Sequence, residues 1–255
     1  MNNKSVSLII PVFNEEDSIV ELINEILLVF KNNQIYDYEI IIINDGSIDK
    51  TWINISELCK KNSLIKAFNL RKNFGKSIAM NIGFFIASKN YVITLDGDLQ
   101  DNPNDIPRFI SELKKFDFVS GWKKKRYDSL SKIIQSRIFN FFTRVVTGVK
   151  LNDFNCGFKG YKNKVVKELN IYGGLHRYIA VIVSRKKYSI SEIVVNHRKR
   201  KFGKSKYGYG FTRIFRGLVD LFYLSVSTEY YKRPPINKII AKKYIKNVSS
   251  NFKLN

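Results

Sequence analysis

The sequence predicts an α/β fold, a mostly parallel β-sheet flanked by helices, and three observations carry that prediction. Strand and helix patterns alternate four times over roughly the first 100 residues, the order that builds a parallel sheet with crossover helices. Each of these strands runs into a polar loop, as expected where strand carboxyl ends border a ligand crevice. A length of 255 residues with 44% hydrophobic content is enough to bury a sizeable core.

Taken in order, residues 6–10 (Val-Ser-Leu-Ile-Ile) read as the first buried strand, and Pro11-Val-Phe-Asn-Glu-Glu16 as the loop at its carboxyl end. Asp17 or Ser18 can cap the following helix, whose apolar positions Ile19, Leu22, Ile23, Ile26 and Leu27 recur at helical spacing. Residues 38–43 form the second strand, ending in Asn44-Asp-Gly-Ser-Ile-Asp49, and a helix from Lys50 to Lys61 follows. Leu64 to Leu70 supplies the third strand, after which Arg71-Lys-Asn-Phe-Gly-Lys76 opens a helix through Ala87. Tyr91 to Leu95 is the fourth strand, stopped by a polar turn with Pro103, and Asp117 to Ser120 is a fifth.

The fourth strand ends in Asp96-Gly-Asp98, where a tight turn can aim two carboxylates and the Gln100 amide at one point. Hard oxygen donors at that density suit Mg²⁺ or Mn²⁺ holding a diphosphate, although Asp and Gly also make ordinary solvated turns. Glu15 and Asp45 fall on the same sheet edge, and Arg71 and Lys76 lie near a helix N-terminus, where cations and free N–H groups can hold phosphate. There is no GxGxxG and no GxxxxGK[ST], so neither a dinucleotide fold nor a P-loop is supported.

Charge divides the chain. Residues 1–120 hold 13 Lys/Arg against 16 Asp/Glu, a net of −3, and residues 121–255 hold 31 against 6, a net of +25. Such asymmetry calls for a polyanionic partner, either nucleic acid or an anionic membrane surface. Cys59 and Cys156 make no disulfide framework and no CxxC pair, which fits a reducing compartment. The short apolar run before Pro11 lacks the layout of a signal peptide.

Pro11–Glu16, Asn44–Thr51, Arg71–Lys76 and Asp96–Asp101 resemble the successive motifs of family 2 glycosyltransferases, and within them the polyprenyl-phosphate sugar transferases acting on undecaprenyl or dolichyl phosphate. The likeness continues through Asp153–Lys159, Leu175–Tyr178 and His197–Tyr207 and covers about residues 5–233. It implies a GT-A type, Rossmann-like catalytic domain over 1–210, with 211–255 as an amphipathic, basic, membrane-associating segment. It also implies an inverting, metal-dependent transfer of a hexose from a nucleotide-sugar to polyprenyl phosphate, with UDP-glucose favoured and GDP-mannose as runner-up. Pro11, Phe13, Glu15 and Asp45 match the nucleotide-holding positions, Asp45 at the one that reads the base. Asp96, Asp98 and Gln100 match the metal and diphosphate site, and Lys123, Lys132, Ser136, Arg200 and Lys206 the contacts to the acceptor phosphate. Asp153 is either a catalytic base or an organiser of the surrounding cations; with a phosphate acceptor, already ionised, the organising role is preferred. His176 and His197 lack metal-ligand spacing and read as hydrogen-bonded structural residues.

No stretch reaches the ~20 apolar residues of a membrane span, so the expected contact is peripheral, at the cytoplasmic face. Three segments carry apolar helical faces among cations: Leu130, Ile133, Ile134, Phe141, Phe142 and Val145; Phe211 to Phe222; and, in 235–248, Ile236, Ile239, Ile240, Tyr244 and Val248. Self-association through the same faces is their other use. A nucleic-acid-binding protein, suggested by the basic half and Tyr207-Gly-Tyr-Gly-Phe211, would leave the acidic sheet edge without a role. A family 2 transferase acting on a polysaccharide hydroxyl is the rival among enzymes.

Overall fold

The computed structural model describes residues 5–202, 217, 219–224 and 235–249. Five strands appear where the sequence places them: β1 (Val6–Val12), β2 (Tyr38–Asn44), β3 (Ile65–Leu70), β4 (Tyr91–Thr94) and β5 (Phe118–Trp122). Three more, β6 (Lys159–Lys162), β7 (Ile190–Val194) and β8 (Ile245–Val248), complete an eight-stranded sheet in the order β7-β5-β6-β4-β1-β2-β3-β8. The β4-β1-β2-β3 block and the β5-β7 pair are parallel, whereas β6 runs antiparallel between β4 and β5, and β8 antiparallel to β3.

Period-two side-chain alternation splits the core into two layers. Ile9, Ile41, Ile43 and Phe68 face helix α3 (Lys76–Ile86) on one side of the sheet. Leu8, Ile10, Ile40 and Ile42 face α1 (Ile19–Asn32) and α2 (Thr51–Lys61) on the other, beside α4 (Ile106–Leu113). Each fully buried Ile or Leu contributes about 1.5–3 kcal/mol, so these layers fix the sheet whose carboxyl edge carries the loops. Gly83 lets α3 press onto β1, since a Cβ there would stand 2.5 Å from Ile9 Cγ2. Among the described residues no helix is long and apolar enough to cross a membrane.

Two parts of the second half differ in how their apolar faces are used. The helix expected over 235–248 is short, Lys238–Tyr244, and the chain then extends as β8 along β3. Ile236, Ala241 and Ile245 are buried, and Ile240, Tyr244 and Val248 pack on the core layer, so this face meets the protein interior. The reason lies in β3: its outer edge needs hydrogen-bond partners, and Ile245–Val248 supplies them, with a register shift at Asn69/Leu70 that sets Ile245 opposite Leu70 and Val248 opposite Phe68. Helix α5 (Leu130–Thr147) is the opposite case. Only Phe139, Asn140 and Thr143 are buried along its 18 residues, and Leu130, Ile134, Ile138, Phe141, Phe142, Val145 and Val146 are exposed. Of the third segment, Phe222 is described and exposed; Phe211 to Phe215 and Leu218 lie outside the described residues.

Candidate active site

A cavity of about 760 Å³ opens at the carboxyl edge of β1, β2 and β4. Its walls include Pro11, Phe13, Glu15, Asp45, Lys76, Asp96, Asp98 and Arg200, so sheet topology gathers residues scattered over 190 positions of sequence. The loops that carry them are tied to one another. Asn14 N–H donates to Ser47 Oγ at 2.8 Å and Glu15 N–H to Thr51 Oγ1 at 2.8 Å, which fastens the β1 loop to the β2 loop. Ser18 Oγ donates to Gly97 O at 2.8 Å and reaches the Glu15 carboxylate at 2.9 Å, which fastens it to the β4 loop.

Asp45 is buried, and its carboxylate accepts from Phe74 N–H at 2.8 Å and Gly75 N–H at 2.9 Å. Burial raises it to about 6, and those two hydrogen bonds oppose the rise only in part. It thereby shapes the loop that presents Lys76 at the first turn of α3. Arg71, at the start of that loop, is exposed and is not part of the cavity wall.

The Asp96-Gly-Asp98 turn is the most charged part of the wall. Lys76 Nζ lies 2.5 Å from Asp96 Oδ1, and the Arg200 guanidinium contacts Asp98 Oδ2 and stands 3.4 Å from Gln100 Oε1. Burial pushes Asp96 upward, but the Lys76 and Lys123 charges outweigh it and hold it at about 2. Asp98 goes the other way, to about 6, through burial and the neighbouring Asp96 and Asp101 charges, with Arg200 and Lys123 in opposition. Gly157 backs onto this turn, where a Cβ would sit 2.4 Å from Asp96 Oδ2. Among the described residues no set of three His, Cys, Asp or Glu groups is arranged around one point. Gln100 is not part of the cavity wall, its amide oxygen standing behind Arg200. Two carboxylates on that wall with this amide nearby nevertheless fit an octahedral ion such as Mg²⁺ or Mn²⁺, which keeps coordination positions for phosphate oxygens and water.

The residues matched to the acceptor phosphate are spread more widely. Arg200 lines the cavity, and Lys206 lies outside the described residues. Lys123 is turned inward, 2.8 Å from Asp101 Oδ1, with its side chain only 11% accessible. Burial alone would lower its pKa, but Asp101, Cys156 and Asp96 raise it, so it is a fixed positive charge behind the carboxylates. Lys132 and Ser136 stand on α5 away from the cavity wall, the Ser136 hydroxyl buried. Asp153 is 1% accessible and accepts from the Arg126 guanidinium, from Lys123 N–H at 3.3 Å and from Asn155 N–H at 3.1 Å. The Arg126 guanidinium is thus the cation on Asp153, while Lys123 meets it through its backbone N–H.

A further wall comes from residues outside the strand-end loops. Gly173, Gly174, His176, Arg177 and Asp220 also line the cavity. His176 Nδ1 is 3.0 Å from Ser77 Oγ on α3, which also donates to Gly173 O at 2.8 Å. Burial, with Lys76 and Arg177 nearby, holds its imidazole well below the ordinary range and therefore neutral. Leu175–Tyr178 stands out as a motif, but nothing in its residue types marks it as lining the same cavity as the Asp96 turn.

Known proteins resemble this chain to different degrees. Over 235 residues the chain is 35% identical to the dodecaprenyl-phosphate galacturonate synthase of Rhizobium johnstonii, covering 90% of this chain and 69% of that protein. It is 33% identical over 204 residues to the undecaprenyl-phosphate 4-deoxy-4-formamido-L-arabinose transferase of Pseudomonas fluorescens, covering 79% and 60%. The chain thus spans between three-fifths and about two-thirds of the length of these relatives. Glucosyl-3-phosphoglycerate synthase from Mycobacterium tuberculosis, solved with Mn²⁺ and UDP-glucose, superposes with a TM-score of 0.66 over 87% of this chain and 78% of that one. At 16% identity that likeness shows a shared GT-A type fold. Residues 7–169 match the family described as Glycosyl transferase family 2, and with the relatives' identity this establishes that the chain belongs to that family and is a glycosyltransferase.

Proposed function

We propose that this chain transfers a sugar from a nucleotide-sugar to a polyprenyl phosphate, with inversion, at the cytoplasmic face of a membrane. The observation that carries the reading is the cavity itself, where a paired-carboxylate turn meets Lys76 and Arg200 beside the Pro11–Glu15 and Asp45 loops. The names of both curated relatives put a polyprenyl phosphate in the same reaction. Asp96, Asp98 and Gln100 would hold Mg²⁺ or Mn²⁺, whose chemistry is to neutralise charge on the leaving diphosphate. Pro11, Phe13, Glu15 and Asp45 border the space for the nucleotide. Lys76 and Arg200 are cations on the wall that can meet phosphate oxygens, and an ionised acceptor phosphate needs positioning rather than a base.

The uncovered side of α5 supports a peripheral contact with anionic lipid. Seven exposed apolar side chains from Leu130 to Val146 lie among Lys132, Arg137, Arg144 and Lys150. UDP-glucose is the first donor to offer and GDP-mannose the second. The relatives' names add nucleotide-linked galacturonate and 4-deoxy-4-formamido-L-arabinose to the panel. Radiolabel transfer to undecaprenyl phosphate with Mn²⁺ or Mg²⁺ tests the reading: label moving into the lipid phase from one donor supports it. Transfer to a polysaccharide hydroxyl without lipid phosphate would replace it.

A further inference from the structure

Resting on the donor-site reading above, the geometry points to a direct competition: Arg200 holds the Asp98 oxygen that a divalent cation needs, so metal alone binds weakly and metal with nucleoside diphosphate binds cooperatively.

Each side chain matched to the metal touches a cation of the chain. Lys76 is on Asp96, and Arg200 spans Asp98 and Gln100. With Lys123 paired to Asp101 behind it, the turn's two carboxylates are matched by the two cations that touch them. A divalent ion entering alone must displace the guanidinium from a charge-assisted contact, and it leaves a surplus of positive charge in a partly buried wall. A diphosphate arriving with the metal removes both penalties, because its oxygens accept the displaced Arg200 and Lys76. Coupling of this kind is reciprocal, so each ligand raises affinity for the other by the same factor.

The segment around Arg200 is built for a side-chain swing, not a loop movement. Arg198 pairs with Glu25 through two contacts of 3.1 and 2.9 Å and donates to Leu99 O at 2.9 Å and Asp101 O at 3.0 Å. Lys201 Nζ holds both Glu21 oxygens at 2.8 Å. The backbone just before Arg200 is therefore fastened to the β4 loop and, through Arg198, to α1, with Lys201 reaching α1 by an exposed ion pair, while among the described residues the Arg200 guanidinium is held by groups a metal would claim.

The test is Mn²⁺ affinity, read from the free-ion EPR signal, with and without UDP, for the wild type, Arg200→Gln and Lys201→Gln. Arg200→Gln should bind Mn²⁺ alone about three- to tenfold more tightly, and the gain on adding UDP should shrink by a similar factor. Lys201→Gln removes the same charge one residue along and should match the wild type. Unchanged or weaker binding of Mn²⁺ alone by Arg200→Gln, or an equal gain in Lys201→Gln, overturns the competition while leaving the donor site in place. If the wild type fails to bind Mn²⁺ even with UDP or GDP present, the donor-site reading itself falls.

Discussion

Residues 1–120 carry little net charge, and their loops close the sheet's carboxyl edge through hydrogen bonds to one another, whereas the chain from 121 onward carries +25 and leaves most of α5 uncovered. In the first region, the proposed function rests on position: adjacent parallel strands deliver Glu15, Asp45, Asp96 and Asp98 to one cavity. In the second it rests on surface, on what α5 exposes and on where the cations point. The contrast teaches that a site built on strand ends tolerates few changes, while a contact spread over a helix face should lose strength in increments.

The largest effect that would sharpen this contrast is at the Asp96 turn. Asp98→Ala should lower metal-dependent transfer by about 10²–10³-fold with little change in thermal stability, because its side chain faces the cavity. Activity within a few-fold of the wild type would remove Asp98 from the metal site. Gly157→Ala tests the same turn from behind. The added methyl must push Asp96 aside, and a shift near 1 Å at a reacting centre costs about 10²-fold, so we expect a loss of roughly that size. A variant with wild-type kinetics would show that the turn gives way without consequence.

On the other side of the comparison, replacing Phe141 and Phe142 together by Asp should weaken binding to anionic vesicles at least about tenfold, judged by the transfer cost of two aromatic side chains. They are 59% and 44% accessible, so stability should stay within about 0.5 kcal/mol in the absence of lipid. Vesicle flotation of the double variant at wild-type levels would move the membrane contact off α5.

How legible each region is depends on the same difference. The first five strands and α1 to α3 are readable because apolar runs and helical spacing are local signals, and the Asp-Gly-Asp turn is itself a local motif. β6 escapes such reading because Lys159-Gly-Tyr-Lys162 has no apolar run; it is a strand through its neighbours β4 and β5, its Lys159 amine buried against the carbonyls of Phe154 and Cys156. β8 is misread as helix because Ile236, Ile240, Tyr244 and Val248 satisfy a helical period, and only the open edge of β3 decides otherwise. The wall of His176 and Arg177 is placed by Ser77 of α3 reaching His176 across 99 residues of sequence, with Asn81 holding Ile171 of the same segment, contacts no local pattern encodes. The Asp101 pairing of Lys123 is likewise a contact between loops 22 residues apart that no local pattern announces.

The smallest effect concerns Asp45 and is read from stability. Its carboxyl is raised from an ordinary 3.8 to about 6 by burial, so between those values the folded chain holds a proton there that the unfolded chain has released. Stability from this group is therefore greatest below the unfolded value of 3.8 and falls as pH rises through about 6, the reverse of a salt-bridged acid. The shift corresponds to about 2–3 kcal/mol at most. Asp45→Asn keeps an acceptor for one of the Phe74 and Gly75 N–H groups and cannot ionise. Denaturant titrations should then give a difference, variant minus wild type, that grows in the variant's favour by ~2 kcal/mol from about pH 4 to about pH 7. A pH-independent difference would mean that Asp45 titrates alike in both states, and that the first region's loops hold its charge as comfortably as water does.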